Sequence, residues 1–488
     1  MSKPYPAHSQ RGEELLVEQL TQWSLANGLI MYPPNFQSYQ ANVAPVTLYP
    51  TPFPRDQFDK SISISKQYNS LYSNIIIEKN WLLSIIKNLS KFDSDFTGKL
   101  YESYLNSIEI GIVQPVSLGL FRSDYMLDLD TNLIKQVEFN TVSVSFGGLS
   151  SKISELHKFL NDIGMYNNED DKRVKYYKDE ELAISKSSQE LAKGLYEGVS
   201  YYNKTHDAKD TVVLFVVQPN ERNAFDQRAI EYNLLSQYGV RSKRIELPEV
   251  LKKVSIKGDD RRLYIDEDGD DEVSVVYYRS AYGPQEFVEF PEAWECRTQL
   301  ETSLAIKCPS LLVQLSGAKK VQQLLTNDEV FNKFTTHKDN NESLKSTFVK
   351  IYPLDDSEEG KLGKQLAFEK SENFVLKPQR EGGGNNIYKN DIPKFLKELN
   401  EEEWQGYILM ELINPPIFKD SVIFRNGELI KEGIISELGI FSCLLFNEST
   451  GDVIVNECCD HLLRSKTSSS NEGGVAAGFG CVDSLYLY

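Results

Sequence analysis

The sequence predicts a mixed protein of α+β and α/β character, with a helical N-terminal part and a small α/β unit inserted before the last third. Three observations carry this. Residues 13–20 and 64–89 have helix periodicity, with proline-rich connections around them. Residues 211–217 form one continuous apolar, largely β-branched run, as a buried parallel strand requires. From Gly317 onward, strand patterns alternate with two tight glycine clusters.

Each element follows in order. The first helix, 13–20, ends before Met31-Tyr32-Pro33-Pro34, and 64–89 continues as one helix with no internal proline. Residues 134–140 read as a strand running into a loop, 167–178 as a polar surface loop, and 181–197 as a helix. After the strand at 211–217 come a helix at 227–238 and two strands, 262–266 and 273–278, flanking an acidic turn at Asp268-Gly269. Beyond Gly317 the pattern gives a helix at 319–325 and strands at 374–377, 406–411 and 434–439. A length of 488 residues suits roughly three units of about 150 residues each. The divisions fall at 1–209, 210–316 and 317–488.

Composition narrows the function. A formal charge of −18 disfavours nucleic acid, which needs a clustered basic face, but does not disfavour ATP, which is held by a few local cations. The opening residues carry no apolar signal region, and no run approaches the length of a membrane span, so a cytoplasmic location is expected. The six cysteines (296, 308, 443, 458, 459 and 481) lack paired spacing and are expected to be reduced and mostly buried.

Three motifs carry chemistry. In the first, a strand delivers Lys377, and Glu381 then opens the run Gly382-Gly383-Gly384-Asn385-Asn386. Backbone without side chains can approach phosphate oxygens, the lysine offers a point charge, and the glutamate offers a hard oxygen for magnesium. The P-loop pattern is absent. In the second, Glu138 and Asn140 share a strand face and can present two oxygens to one cation, with Ser143 and Ser145 repeating the spacing. A half-exposed strand with polar residues outward explains the same pattern. Upstream, Arg122 reads as an arginine at a strand end, either an anion clamp or a surface ion pair. In the third, Arg464 and Lys466 precede a small-residue loop from Glu472 to Gly478, either a lid over an anionic ligand or a plain turn.

These motifs, in this order, resemble the eukaryotic glutathione synthetase family of the ATP-grasp superfamily over nearly the whole chain. Tyr32-Pro33-Pro34, Tyr49-Pro50-Thr51-Pro52, Glu221-Arg222-Asn223, Phe225-Asp226-Gln227, Gln314-Leu315-Ser316-Gly317 and Ile435-Ser436-Glu437-Leu438-Gly439 extend the likeness. The resemblance implies an ATP-grasp fold that grips nucleotide between two α+β units, and a homodimer. It implies magnesium held by Glu138, Asn140 and Glu381. It gives ATP the residues Glu138, Lys319, Lys377, Glu381, Gly382, Gly383, Gly384, Asn385, Asn386, Tyr388, Met410, Glu411, Leu412, Ile413, Glu437, Lys466 and Glu472. The peptide substrate receives Arg122, Val142, Ser143, Val144, Ser145, Glu221, Arg222, Asn223, Gln227, Arg279, Ser280, Ala281, Tyr282, Arg464, Val475 and Ala476. Arg122, Lys377 and Arg464 are the expected catalytic cations. The chain departs from the family at Ala281, where relatives often carry glycine.

The implied reaction joins γ-glutamylcysteine to glycine, giving glutathione, ADP and phosphate. Amide formation from a free carboxylate is uphill, so transfer of the γ-phosphoryl group activates it as an acyl phosphate, and positioning with charge neutralisation dominates. Two rivals stand beside this: a related ligase with another dipeptide or amine, and a non-catalytic nucleotide-binding relative.

Overall fold

The computed structural model describes residues 3–167, 175–266, 270–335, 338–380, 384–471, 473–475 and 478–488. Its largest sheet has eight strands, in the order Glu428–Ile430, Ile423–Arg425, Val46–Thr47, Gly480–Asp483, Val453–Thr467, Ile434–Asn447, Val116–Asp128 and Leu133–Asn140. Strands from both ends of the chain therefore share one hydrogen-bonded layer.

Alternation along these strands makes two cores. Leu118, Leu120, Cys443, Leu445 and Leu462 point to one side, where they meet Leu149, Ile153, Leu191 and Leu195 from the helices Gly147–Asp162 and Ser187–His206. Phe121, Tyr125, Ile440, Leu444 and Leu463 point to the other, against Ile64, Tyr68, Leu71 and Tyr72 of the helix Arg55–Ile77. Both faces are covered, so the sheet is the middle of three layers.

A second sheet of six strands is built from residues 212–308. Val212–Val217 is wholly buried within it, with parallel neighbours Ser242–Glu246 and Asp271–Tyr278, as its unbroken apolar run requires. The third sheet has four antiparallel strands, Ile351–Pro353, Tyr407–Glu411, Phe374–Pro378 and Ile387–Tyr388. Phe374, Leu376 and Leu409 on one face pack on the helices Glu358–Glu369 and Ile392–Glu398. The opposite face presents Ile351, Val375, Ile408 and Met410, and by alternation Lys377 shares it.

The structure corrects several sequence expectations. The helix expected over 64–89 is two helices, Arg55–Ile77 and Lys79–Leu89, meeting at Glu78, whose ψ of 54° is non-helical; neither glycine nor proline marks the break. The helix expected at 181–197 starts at Ser187. Leu182–Ala183 is instead recruited as a short strand beside Leu485–Leu487. The strand expected at 434–439 runs on to Asn447. Arg122 lies in the middle of Val116–Asp128, not at a strand end. The 262–266 and 273–278 strands do pair antiparallel, with Leu263 opposite Val273. The tip of that hairpin and most of the loop expected at 167–178 lie outside the described residues. All six cysteines are free and five are buried, as expected. No helix among the described residues is long and apolar enough to cross a membrane.

Candidate active site

Strand register assembles the site. In the paired strands Val116–Asp128 and Leu133–Asn140, Arg122 is opposite Asn140 and Asp124 is opposite Glu138, so all four side chains stand on one face. The same face carries Leu118 and Leu120 further along, so one strand changes from core to charged site along its own length. In the paired strands Ile434–Asn447 and Val453–Thr467, Glu437 is opposite Arg464. Between the two pairs, Gly439 is opposite Asp124. A Cβ at Gly439 would lie 2.9 Å from both Arg122 Cδ and Asp124 Oδ1, so the missing side chain is what admits them.

Asp124 is the hub. Its carboxylate accepts Arg122 Nε at 2.6 Å and Nη2 at 2.7 Å, Arg464 Nη2 at 3.1 Å and Asn140 Nδ2 at 3.0 Å. Arg464 also pairs with Glu437. Burial would lower the Arg464 guanidinium, but Glu437 and Asp124 raise it above its ordinary value.

Two lysines enter from elsewhere. Lys319, at the start of the helix Lys319–Leu325, donates to Glu138 Oε2 at 2.8 Å, and Lys377 donates to Val137 O at 3.0 Å. The four-stranded sheet is thereby fastened to the edge of the eight-stranded one. Burial opposes charge on Glu138, yet Lys319, Lys377 and Arg122 outweigh it and hold the carboxyl well below the usual range. Burial pushes the Lys377 ammonium down to about 8, against the pull of Glu138 and with added repulsion from Lys319. The cluster thus sets the four cations Arg122, Lys319, Lys377 and Arg464 against the three carboxylates Asp124, Glu138 and Glu437, a small positive excess that suits an anionic ligand.

The donor set fits a hard cation at its described members. Glu138 keeps 24% of its side chain exposed. The Asn140 amide nitrogen is spent on Arg122 O at 3.2 Å and on Asp124, which turns its oxygen the other way. The third expected ligand, Glu381, lies outside the described residues, with Gly382 and Gly383.

The remaining expected residues fall around this core. Gly384, Asn385, Asn386 and Tyr388 continue from the Lys377 strand, and Asn386 Nδ2 donates to the Tyr388 hydroxyl at 3.3 Å. Met410 and Glu411 pair with Val375 and Phe374. Leu412 and Tyr388 join the apolar face of that sheet. Ile413 follows directly and is partly exposed. Lys466, the residue before the end of its strand, is opposite Ile435, and its Nζ reaches Asn471 O at 2.6 Å. Val475 is buried, whereas Glu472 and Ala476 lie outside the described residues.

The turn after Asn140 links Arg122 to the second sheet. Arg122 Nη1 donates to Ser145 O at 3.4 Å, while Arg279 donates to Ser145 Oγ at 2.6 Å and to Val144 O. Ser143 holds a left-handed φ of 53°, and Val142 and Val144 are buried. Asp226 fixes the far side of the turn, accepting Phe146 N at 2.8 Å, Gly148 N at 2.7 Å and Leu149 N at 3.1 Å. Glu221 accepts Asn223 N at 2.7 Å and Gln227 Nε2 at 3.3 Å, and Arg222 Nε donates to Tyr32 O at 3.2 Å. Ser280 spends its hydroxyl on Val216 O at 3.2 Å. Ala281 is buried at a left-handed φ of 64°, and the Tyr282 hydroxyl donates to Gln218 Oε1 at 3.2 Å.

Residues 10–487 match the family described as eukaryotic glutathione synthase, ATP binding domain. The chain belongs to that family. Glutathione synthetase large chain from Schizosaccharomyces pombe is 37% identical, over 95% of this chain and 96% of that one. Glutathione synthetase from Dictyostelium discoideum is 36% identical, over 97% and 98%. The Mus musculus protein of that name is 34% identical, over 97% and 96%. A solved structure of a glutathione synthetase-like effector from Globodera pallida, in apo form, shares the fold over 100% of both chains, with a TM-score of 0.74 at 24% identity.

Within this glutathione synthase framework, sequence reasoning missed two organising carboxylates. Asp124 had a signal, since Arg122-Ser123-Asp124 on a strand puts both charges on one face. Asp226 had none. Its three backbone donors are about 80 residues away in sequence. A surface groove of about 440 Å³, lined by Lys99, Glu102, Trp294 and Glu295, shares no side chain with the charged cluster.

Proposed function

We propose that the chain is an ATP-dependent carboxylate–amine ligase that joins γ-glutamylcysteine to glycine through an acyl phosphate, releasing glutathione, ADP and phosphate. The observation that carries this reading is the convergence of Arg122, Lys319, Lys377 and Arg464 on one site with Glu138, in a chain of this family. Phosphoryl transfer asks the protein for positioning and charge neutralisation, and four cations from separate elements provide both.

In this reading the four-stranded sheet and the edge of the eight-stranded sheet grip nucleotide in the ATP-grasp manner. Val375, Tyr388, Met410 and Leu412 offer an apolar face for the base, followed by Glu411 and Ile413 at the strand end. Lys319, Lys377, Lys466 and the loop from 381 to 386 hold the phosphates. Glu138 and Asn140, with Glu381, would hold magnesium, which supplies charge neutralisation at the transferring phosphoryl oxygens. Arg122 and Arg464, fixed by Asp124, orient the carboxylate to be activated. Residues 210–316 form the peptide-binding unit between 1–209 and 317–488, and Arg279 reaches across to Ser145 to shape that pocket. The segment 466–478, with Glu472, Val475 and Ala476, closes over the site and excludes water, which an acyl phosphate requires. A homodimer in the cytoplasm completes the proposal.

The test is turnover of ATP with γ-glutamylcysteine, with and without glycine. ADP release that depends on both the peptide and magnesium is expected, and hydroxylamine in place of glycine should give the hydroxamate. AMP as the stoichiometric product would remove the acyl phosphate. Turnover only with a different dipeptide or amine would move the substrate, and no turnover with any would leave a nucleotide-binding relative.

A further inference from the structure

Ala281 is fully buried and adopts a φ of 64°. A side chain in that region crowds the neighbouring carbonyl oxygen, and glycine is the residue that fits it without strain. Something must therefore hold the backbone there. Glu286, in the short helix Gln285–Glu289, turns back onto the turn. Its Oε2 accepts Ala281 N at 2.9 Å, and its Oε1 accepts Tyr282 N at 3.2 Å and Gly283 N at 3.3 Å. Three successive N–H groups converging on one carboxylate form a concave anion-binding nest, which a left-handed residue helps to shape. From the other side, Gln314 Nε2 donates to Ala281 O at 2.7 Å, and Arg279 N donates to Val216 O at 2.7 Å.

We propose that Glu286 is a positioning residue for the peptide substrate: it pins the turn that sets the directions of Arg279 and Tyr282, and so offsets an alanine where the backbone favours glycine. The proposal rests on the reading above that residues 279–282 meet γ-glutamylcysteine. The geometry gives it a distinctive form. Glu286 meets this turn only through backbone N–H groups, while its other partner is the Gln218 side chain, which accepts the Tyr282 hydroxyl; the part of its effect that runs through Ala281 should depend on which residue stands there. Glu286 has no hydrogen bond to Lys319, Lys377 or Glu138 among the described residues, so nucleotide binding should not feel its loss.

The experiment is a double-mutant cycle between Glu286→Gln and Ala281→Gly, read as separate KM values for γ-glutamylcysteine and ATP and as kcat. With Ala281 in place, Glu286→Gln is expected to raise KM for γ-glutamylcysteine by about tenfold, with KM for ATP and kcat within about twofold. In the Ala281→Gly background the same change should raise it less than about threefold, because the turn no longer needs pinning. An unchanged KM with Ala281 in place overturns the proposal, and so does an equal rise in both backgrounds. If Glu286→Gln folds only together with Ala281→Gly, the compensation stands; if it folds in neither background, Glu286 has a general structural role and the proposal falls. Arg279→Lys separates this from the parent reading. An unchanged KM for γ-glutamylcysteine in that variant means the segment is not the peptide site. A raised KM there, with none from Glu286→Gln, removes the positioning role alone.

Discussion

Asp124 holds Arg122 through two hydrogen bonds, at 2.6 and 2.7 Å, and the residue opposite Asp124 on the Ile434–Asn447 strand is Gly439. Because Arg464 leans on the same carboxylate, one acidic side chain orients two cations from strands far apart in sequence. Asp124→Asn keeps the shape and removes the charge. Breaking a buried pair in this way should destabilise the fold by about 3 to 5 kcal/mol. Urea denaturation measures this, and kcat/KM for the peptide should fall at least about a hundredfold. A variant with wild-type kinetics would show that the arginines hold their places without it.

Gly439→Ala tests the same row by sterics. The new methyl would meet Arg122 Cδ and Asp124 Oδ1 at 2.9 Å, so both must shift. A displacement of this size should lower kcat/KM by about tenfold to a hundredfold while the protein stays folded. Activity within about twofold of wild type would mean the side chains give way freely.

Arg380, at the root of the glycine-rich loop, pairs with Asp93 and Asp95 from the N-terminal helical part. The two acids should differ sharply. The Asp93 side chain is 6% exposed and also accepts Thr97 N at 3.1 Å, whereas that of Asp95 is 63% exposed. Asp93→Ala is expected to cost about 3 kcal/mol and to raise KM for ATP. Asp95→Ala should cost less than about 1 kcal/mol. Equal melting shifts for the two would contradict this ranking.

Asp483 is buried, has no ion-pair partner among the described residues, and accepts Thr47, Thr51 and Ser465 hydroxyls at 2.6 Å each. Burial pushes its carboxyl up from 3.8 to about 6, so the folded protein keeps a proton that the unfolded chain releases. Stability from this group is present at low pH and is lost as pH rises through that window. Relative to Asp483→Asn, the wild type should therefore lose about 2 kcal/mol between about pH 4.5 and 6.5. Parallel stability curves for the two proteins would place the titration elsewhere.

What the sequence disclosed follows from how local each signal is. Lys377 and Glu138 were legible because each sits on a short strand with a clear pattern. The Val453–Thr467 strand was not, since its exposed first half carries Asn456, Glu457 and Asp460, and long pairing with Ile434–Asn447 supplies the order that composition does not. The break at Glu78 likewise has no punctuating residue. Asp226 and Glu286 act on backbone N–H groups, and no pattern of side chains announces an acceptor for a turn. The meeting of Arg464 with Asp124, 340 residues apart, is a property of the assembled sheet.

The order of strands in that sheet bears on how the protein comes to exist. Gly480–Asp483 lies between Val46–Thr47 and Val453–Thr467, so the parallel neighbour of an early strand is supplied very late after it. A ribosome adding about 5 to 20 residues per second leaves Val46–Thr47 waiting on the order of tens of seconds for its neighbour. Until then Val453–Thr467 can pair with Ile434–Asn447 and bring Arg464 to Asp124, but its other edge has no partner. Translation that stalls before residue 480 would release a chain with one long strand edge open to other chains, the form most exposed to aggregation and to clearance by chaperones and proteases.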